Sequence, residues 1–170
     1  MLSRLTVRLA RAEDAPHLRR IHEAAFGSGA EASLVEQLVA DGDASLSLVA
    51  LVGDERVGHL LFSPVTVCHE RCDGLGLAPL GVHPTWQRRG VGSKLVTAGL
   101  AVCRRRGVGF VVVLGDPEYY QRFSFEPAAD RGLGNEYGAT SAFAVIELRT
   151  GGIPAAGGVA RYAPAFAALA

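Results

Sequence analysis

Lysine is nearly missing from this chain: Lys94 stands alone among seventeen basic residues. That skew reflects genomic composition more than chemistry. Net charge is missing too, because seventeen acidic residues cancel the bases and leave a formal charge of +0. The balance excludes bulk nucleic acid, a membrane surface and a strongly acidic molecule as expected partners. No stretch approaches the run of about 18 apolar residues that a membrane span requires. The opening Met1-Leu2-Ser3-Arg4 lacks the apolar core of an export leader, so the expected compartment is the cytoplasm. Cysteine is scarce and odd in number: Cys68, Cys72 and Cys103. An odd count argues against a disulfide framework. Cys68 and Cys72, with His69 between them, lack the second ligand pair of a zinc site, so free thiols and no metal are expected.

What is present is ordinary for a folded domain. Of 170 residues, 49% are apolar and 20% charged, which fits one domain over residues 1–170 with a single core. Leu5, Val7 and Leu9 alternate with Thr6 and Arg8 as in a half-buried strand. Asp14 is placed to cap a following helix with Pro16 in its first turn, ending near Phe26 before Gly27-Ser28-Gly29. Residues 30–40 carry a second helical stripe. Leu46 to Val52 and Val57 to Val67 read as a hairpin, with Pro64 marking an edge, bend or bulge. Gly74 to Val82 reads as a strand whose Gly76 and Gly81 mark a bulge or a close approach of ligand to backbone. A helix follows from Gly90 to Arg106, and Phe110 to Leu114 reads as a strand buried on both faces. A short helix after Pro117 and a strand over 142–148 come next. The Gly/Pro/Ala-rich tail from Thr150 ends in a candidate edge strand at 159–162. The order predicts an α/β fold with a mixed sheet rather than a doubly wound alternation.

Chemistry concentrates after Val82. Pro84 turns the chain, and a helix starts near Gly90, so its first amides have no internal partners and face outward. Those amides and the helix dipole form an anion site. Gly90 and Gly92 let oxygens approach the amides, while Arg88, Arg89 and the Ser93 hydroxyl add positive charge and a donor. A P-loop requires an earlier glycine that is missing, and a dinucleotide fingerprint requires a third glycine where Leu95 stands.

The run that fits is Val82, Pro84, Gln87, Gly90 and Gly92, spaced V-x-P-x-x-Q-x-x-G-x-G. In it the sequence resembles the GNAT superfamily of N-acetyltransferases. Val7-Arg8-Leu9-Ala10 with Asp14 is similar to that family's opening strand and helix. Asp116-Pro117-Glu118-Tyr119-Tyr120-Gln121-Arg122-Phe123-Ser124-Phe125 resembles the YhbS-like branch, with Ser124 where that branch carries glycine. The resemblance implies a single-domain, mostly antiparallel sheet splayed open between the strands ending at Val82 and Leu114. It implies acetyl-CoA as co-substrate. The pantetheine arm would lie along Leu80, Gly81 and Val82, and the pyrophosphate on the loop of Gln87, Arg88, Arg89, Gly90, Val91, Gly92 and Ser93. Of two adjacent tyrosines, Tyr120 lies five residues before Phe125 and matches the family's acid for the leaving thiolate. The implied reaction is direct attack by a primary amine in a ternary complex.

The acceptor is left open among small molecules, peptides and proteins, and so is a homodimer. Glu23, Glu31, Glu36 and His83 are candidate bases, none singled out; each also reads as a solvated or structural side chain. Trp86 fits an adenine contact or turn packing, and Arg104-Arg105-Arg106 fits a helix C-terminus better than an RNA patch. A CoA-binding sensor without turnover and a transferase of longer acyl groups remain as alternatives.

Overall fold

The computed structural model describes residues 4–169; Met1 to Ser3, the start of the segment read above for an export leader, lie outside the described residues. Four strands, β1 (Leu5–Leu9), β2 (Leu46–Val52), β3 (Glu55–Val67) and β4 (Glu70–Val82), form an antiparallel meander. Helices α1 (Ala15–Phe26) and α2 (Ala30–Ala40) lie between β1 and β2. Helix α3 (Val91–Arg105) crosses from β4 to β5 (Phe110–Leu114), which therefore pairs parallel to β4. Helix α4 (Pro117–Gln121) and strands β6 (Glu126–Pro127), β7 (Leu133–Asn135), β8 (Phe143–Glu147) and β9 (Gly158–Arg161) complete the chain. The strand order is β1-β2-β3-β4-β5-β8-β6, with β9 joined to the far end of β3 and to β7. Most neighbours are antiparallel; β4–β5 and β7–β9 are parallel. No helix among the described residues is long and apolar enough to cross a membrane.

Apolar alternation along the strands builds a core on each face of the sheet. Leu60, Phe62, Val111 and Val113 pack with Leu95, Val96 and Tyr120 on the α3 face. Leu61, Phe110 and Val112 pack with Leu34, Leu38 and Phe166 on the α2 face. Strand β5 is thus buried on both faces, as its unbroken apolar run predicts. Cys103 is buried in the α3 face, where desolvation pushes its thiol up to about 11. Among the described residues no group of three or more His, Cys, Asp or Glu is placed to hold a metal ion.

Three local expectations are corrected. Asp14 does not cap α1 with its side chain. It is buried and accepts from Arg8 Nη1 at 2.8 Å, Arg56 Nε at 3.0 Å and the Arg11 amide at 2.7 Å. Paired guanidinium groups outcompete the helix amides for it and hold its carboxyl well below the usual range. Strand β4 begins at Glu70, not Gly74, because Cys68 and His69 both adopt left-handed backbone (φ 52 and 63) and close a two-residue hairpin with β3. The tail strand β9 is not an edge: it pairs with β3 on one side and β7 on the other. At Gly81 the missing side chain makes room for His22, since a Cβ there would lie 2.6 Å from His22 Nδ1. Pro64 does sit, exposed, at a register shift between β3 and β4.

The feature that positions the site is the fork between β4 and β5. They pair only at Gly74–Phe110, Leu75–Val111 and Gly76–Val112. Immediately beyond, β4 carries one residue more than β3 between the pairs Phe62–Leu77 and Leu60–Leu80. Such a bulge bends and twists a strand. The last six residues of β4 therefore leave β5, while β5 stays paired with β8 through Leu114.

Candidate active site

Strand β4 ends at Val82, and the chain enters a short 3-10 turn, Pro84–Trp86. His83 Nδ1 accepts from the Thr85 amide at 3.3 Å, so that ring caps the turn. Gln87 Nε2 donates to the Val82 carbonyl at 2.9 Å and ties the loop back to the strand. Arg88 (φ 60) and Gly90 (φ 83) are both left-handed. That alternation curls successive amides toward one point, the geometry of an anion-binding nest. The first bond of the α3 ladder runs from the Lys94 amide to the Gly90 carbonyl at 3.0 Å. It leaves the amides of Val91, Gly92 and Ser93 ahead of it, pointing out of the helix start.

These groups line one open cleft of about 430 Å³ that includes Val82, Gln87, Arg88, Gly90, Gly92 and Ser93. Two residues not singled out from sequence join them, Tyr119 and Arg122. A Cβ on Gly92 would lie 2.8 Å from the Tyr119 hydroxyl, so that phenol reaches the helix start. The Arg122 guanidinium stacks 4.5 Å from the Tyr119 ring and donates to Ser93 Oγ at 3.4 Å. Arg89 lies 5.4 Å from the half-buried Trp86 ring, which packs on the α3-face core. The cleft thus gathers backbone amides, two hydroxyls and the cations of Arg88 and Arg122 around a volume suited to a diphosphate.

Leu80 and Val82 face α3 and approach Gly92, whereas Gly81 faces α1. Tyr120 follows β5 on α4, and its ring lies edge-on to that of Tyr119 at 5.0 Å. It is buried against Tyr119, Phe123 and Phe125, with Phe125 at 5.5 Å edge-on. Desolvation raises its pKa, so the phenol stays protonated far above neutral pH. Ser124 takes φ 76, holding in a non-glycine residue the turn that follows α4.

The candidate bases fare differently. Glu23 and Glu36 are both paired with Arg19, each at 2.6 Å, on the exposed side of α1 and α2. Glu31 sits in the first turn of α2. Behind β4 runs a buried chain absent from the sequence reading: His22 Nε2 lies 2.8 Å from His59 Nδ1, and His59 Nε2 lies 2.7 Å from Ser47 Oγ. Burial lowers His22 to about 4 and His59 to about 3, so both rings are neutral at pH 7. Arg104 and Arg105 lie in the last turn of α3, and the next residue, Arg106, donates to the Ser45 carbonyl at 3.0 Å; this accounts for the arginine run without nucleic acid.

Known proteins resemble this chain in sequence and fold. Residues 15–125 match the model of the Acetyltransferase (GNAT) family. YhbS of Escherichia coli K12, named as an uncharacterised N-acetyltransferase, is 38% identical over 151 residues, spanning 88% of this chain and 90% of that protein. The crystal structure of E. coli YhbS in complex with CoA superposes with a TM-score of 0.92 at 35% identity, covering 96% of this chain and 92% of that one. A GNAT family acetyltransferase from Brucella melitensis in complex with acetyl-CoA gives a TM-score of 0.82 at 33% identity, covering 95% and 97%. On fold, motif and identity together, the chain belongs to the Acetyltransferase (GNAT) family.

Proposed function

We propose that the chain transfers an acetyl group from acetyl-CoA to a primary amine, by direct attack within a ternary complex. The observation that carries this reading is that the start of α3 meets α4: the Tyr119 hydroxyl reaches Gly92, and the Tyr120 ring lies 5.0 Å from that of Tyr119. A nest of outward amides stands at the start of α3, and a buried, protonated phenol stands on α4. The relatives described with CoA and acetyl-CoA support the same donor. Acetyl-CoA supplies a thioester, whose carbonyl carbon is the electrophile.

The protein's own groups have three tasks. The amides of residues 88–93, with Arg88 and Arg122, hold the pyrophosphate; hydrogen bonds to a charged oxygen are worth about 1.5–3 kcal/mol each. Backbone of Leu80, Gly81 and Val82, freed from β5 by the fork, carries the pantetheine arm and polarises the carbonyl. The Tyr120 hydroxyl gives its proton to the departing sulfur and is reprotonated from solvent. Burial makes this phenol a weaker acid, but the same desolvation makes a thiolate in the same place a stronger base, so the two stay matched. The nitrogen–carbon bond forms as the carbon–sulfur bond breaks, and the proton lost by nitrogen leaves to water. The products are an acetamide and the free thiol of CoA.

The test is steady release of CoA thiol from acetyl-CoA with a panel of amines. Amine-dependent release is expected. Tight CoA binding with no amine acetylated would instead assign the chain to a sensing role. Faster turnover with propionyl- or succinyl-CoA would reassign the acyl group.

A further inference from the structure

The fork has a second face. Loop and phenol lie on the α3 side, with Leu80 and Val82. On the α2 side the fork opens into an apolar cleft of about 280 Å³, between Ala78 of β4 and Leu114 at the end of β5. Its other walls are Tyr137, Tyr162, Phe166 and Leu169. Tyr162 follows β9, and its ring crosses β4 at Gly76, the last residue paired with β5. A Cβ on Gly76 would lie 2.5 Å from Tyr162 Cε1. Phe166 packs 5.1 Å from that ring and Tyr137 6.3 Å. The Tyr162 hydroxyl is buried and, among the described residues, has no hydrogen-bond partner.

A buried hydroxyl without a partner is costly, and a hydrogen-bonding group of a ligand in the cleft would offset that cost. The cleft offers no charged side chain. The nearby Glu136 accepts from the Tyr162 amide at 3.0 Å and faces Arg161 at 3.5 Å. A polyamine or an extended peptide would leave charges or amides unsatisfied there. Apolar walls also disfavour an ammonium ion and favour the neutral amine, which is the nucleophile. That removes the need for a carboxylate base at the fork.

We propose that this cleft takes the acceptor, and that the acceptor is a primary amine on a compact aromatic body, with the Tyr162 hydroxyl accepting one N–H. The assignment rests on the acetyl-CoA donor reading. It puts donor and acceptor on opposite faces of the sheet, meeting through the fork. A longer acyl chain would fill the same space but leave the Tyr162 hydroxyl without a partner.

The test uses the full chain saturated with CoA, titrated calorimetrically with 2-phenylethylamine, spermidine and a glycine-initiated tripeptide. Steady-state rates with acetyl-CoA are measured in parallel. Phenylethylamine is expected to bind, with kcat/KM at least tenfold above the other two. Tyr162→Phe is expected to raise its KM about fivefold at unchanged kcat and unchanged CoA affinity, as loss of one neutral hydrogen bond does. Phe166→Ala is expected to weaken the aromatic amine without touching CoA. Preference for spermidine or the tripeptide would overturn the proposal, as would a hexanoyl-CoA preference that Tyr162→Phe leaves intact. Failure of the donor reading looks different: no heat on adding CoA. Amine binding to the free chain, measured in wild type and Tyr162→Phe, then decides the cleft by itself.

Discussion

Two adjacent tyrosines divide the work of α4. Tyr119 sends its hydroxyl to the start of α3, under the stacked guanidinium of Arg122, and Tyr120 turns into the core beside the fork. The account predicts a clean kinetic split. Tyr120→Phe should lower kcat by about 100-fold or more, the usual worth of a positioned acid, with CoA affinity unchanged. Tyr119→Phe should weaken CoA binding and leave kcat nearly intact. Calorimetric CoA titrations beside steady-state rates check both, and equal effects of the two variants on kcat would remove Tyr120 from its role. In the sequence, Tyr120 is selected by the family's spacing to Phe125, and the kinetic split tests that choice. Tyr119 and Arg122 belong to the segment that resembles the family, but nothing local assigns them to the anion cleft, because their contact with Gly92 and Ser93 is tertiary. The anion loop itself was legible, since its glycines, arginines and helix start all lie within a few residues.

At the scale of elements, α1 is bound to the sheet through buried polar groups as well as apolar ones. His22 wedges between α1 and Gly81 of β4 and continues through His59 of β3 to Ser47 of β2. Both imidazoles are depressed by burial, to about 4 and about 3. In an unfolded chain they would titrate near 6.5. A depressed folded value means that the stabilising contribution is whole above about pH 6.5 and is lost as pH falls toward 4. Urea midpoints are therefore expected to drop steadily from pH 7 to pH 4.5, before most carboxylates protonate. A flat profile across that window would show that the two rings do not resist protonation.

The same element shows where sequence is ambiguous. Glycine within a strand signals close approach without saying what approaches, and at Gly81 the side chain of His22 does. The hairpin at Cys68-His69 was hidden for a related reason. Neither residue is the glycine or asparagine that usually marks two left-handed positions. The place of β9 depended on pairing with β3, nearly a hundred residues earlier, which no local pattern encodes.

For the whole molecule, the decisive property is that one sheet is continuous at one end of β4 and open at the other. Three paired residues hold β4 to β5, and the bulge beyond them releases the rest. The α/β class and the mixed sheet were accessible from strand order, and the opening between Val82 and Leu114 only as an implication of the family resemblance. The extra β4 residue that creates the opening was not, since a bulge is defined only against its partner strand. A ligand lying in the fork would tie together elements that now meet only at its base. CoA at about 100 times its dissociation constant should add about 2.7 kcal/mol of stability. For a chain of this size that is a rise in Tm of roughly 5–10 °C. Thermal unfolding with and without CoA measures it, and an unchanged Tm would contradict binding to the folded state.

The central claim is that backbone amides from Arg88 to Ser93 hold the CoA pyrophosphate while Leu80 to Val82 carry its arm. Amide chemical shifts of the nitrogen-15-labelled chain, followed through a CoA titration, test it residue by residue. The account predicts that the largest shifts fall on Arg88–Ser93 and on Leu80–Val82, with saturation at one equivalent. Unmoved amides in both segments, with shifts gathered elsewhere on the protein, would contradict it.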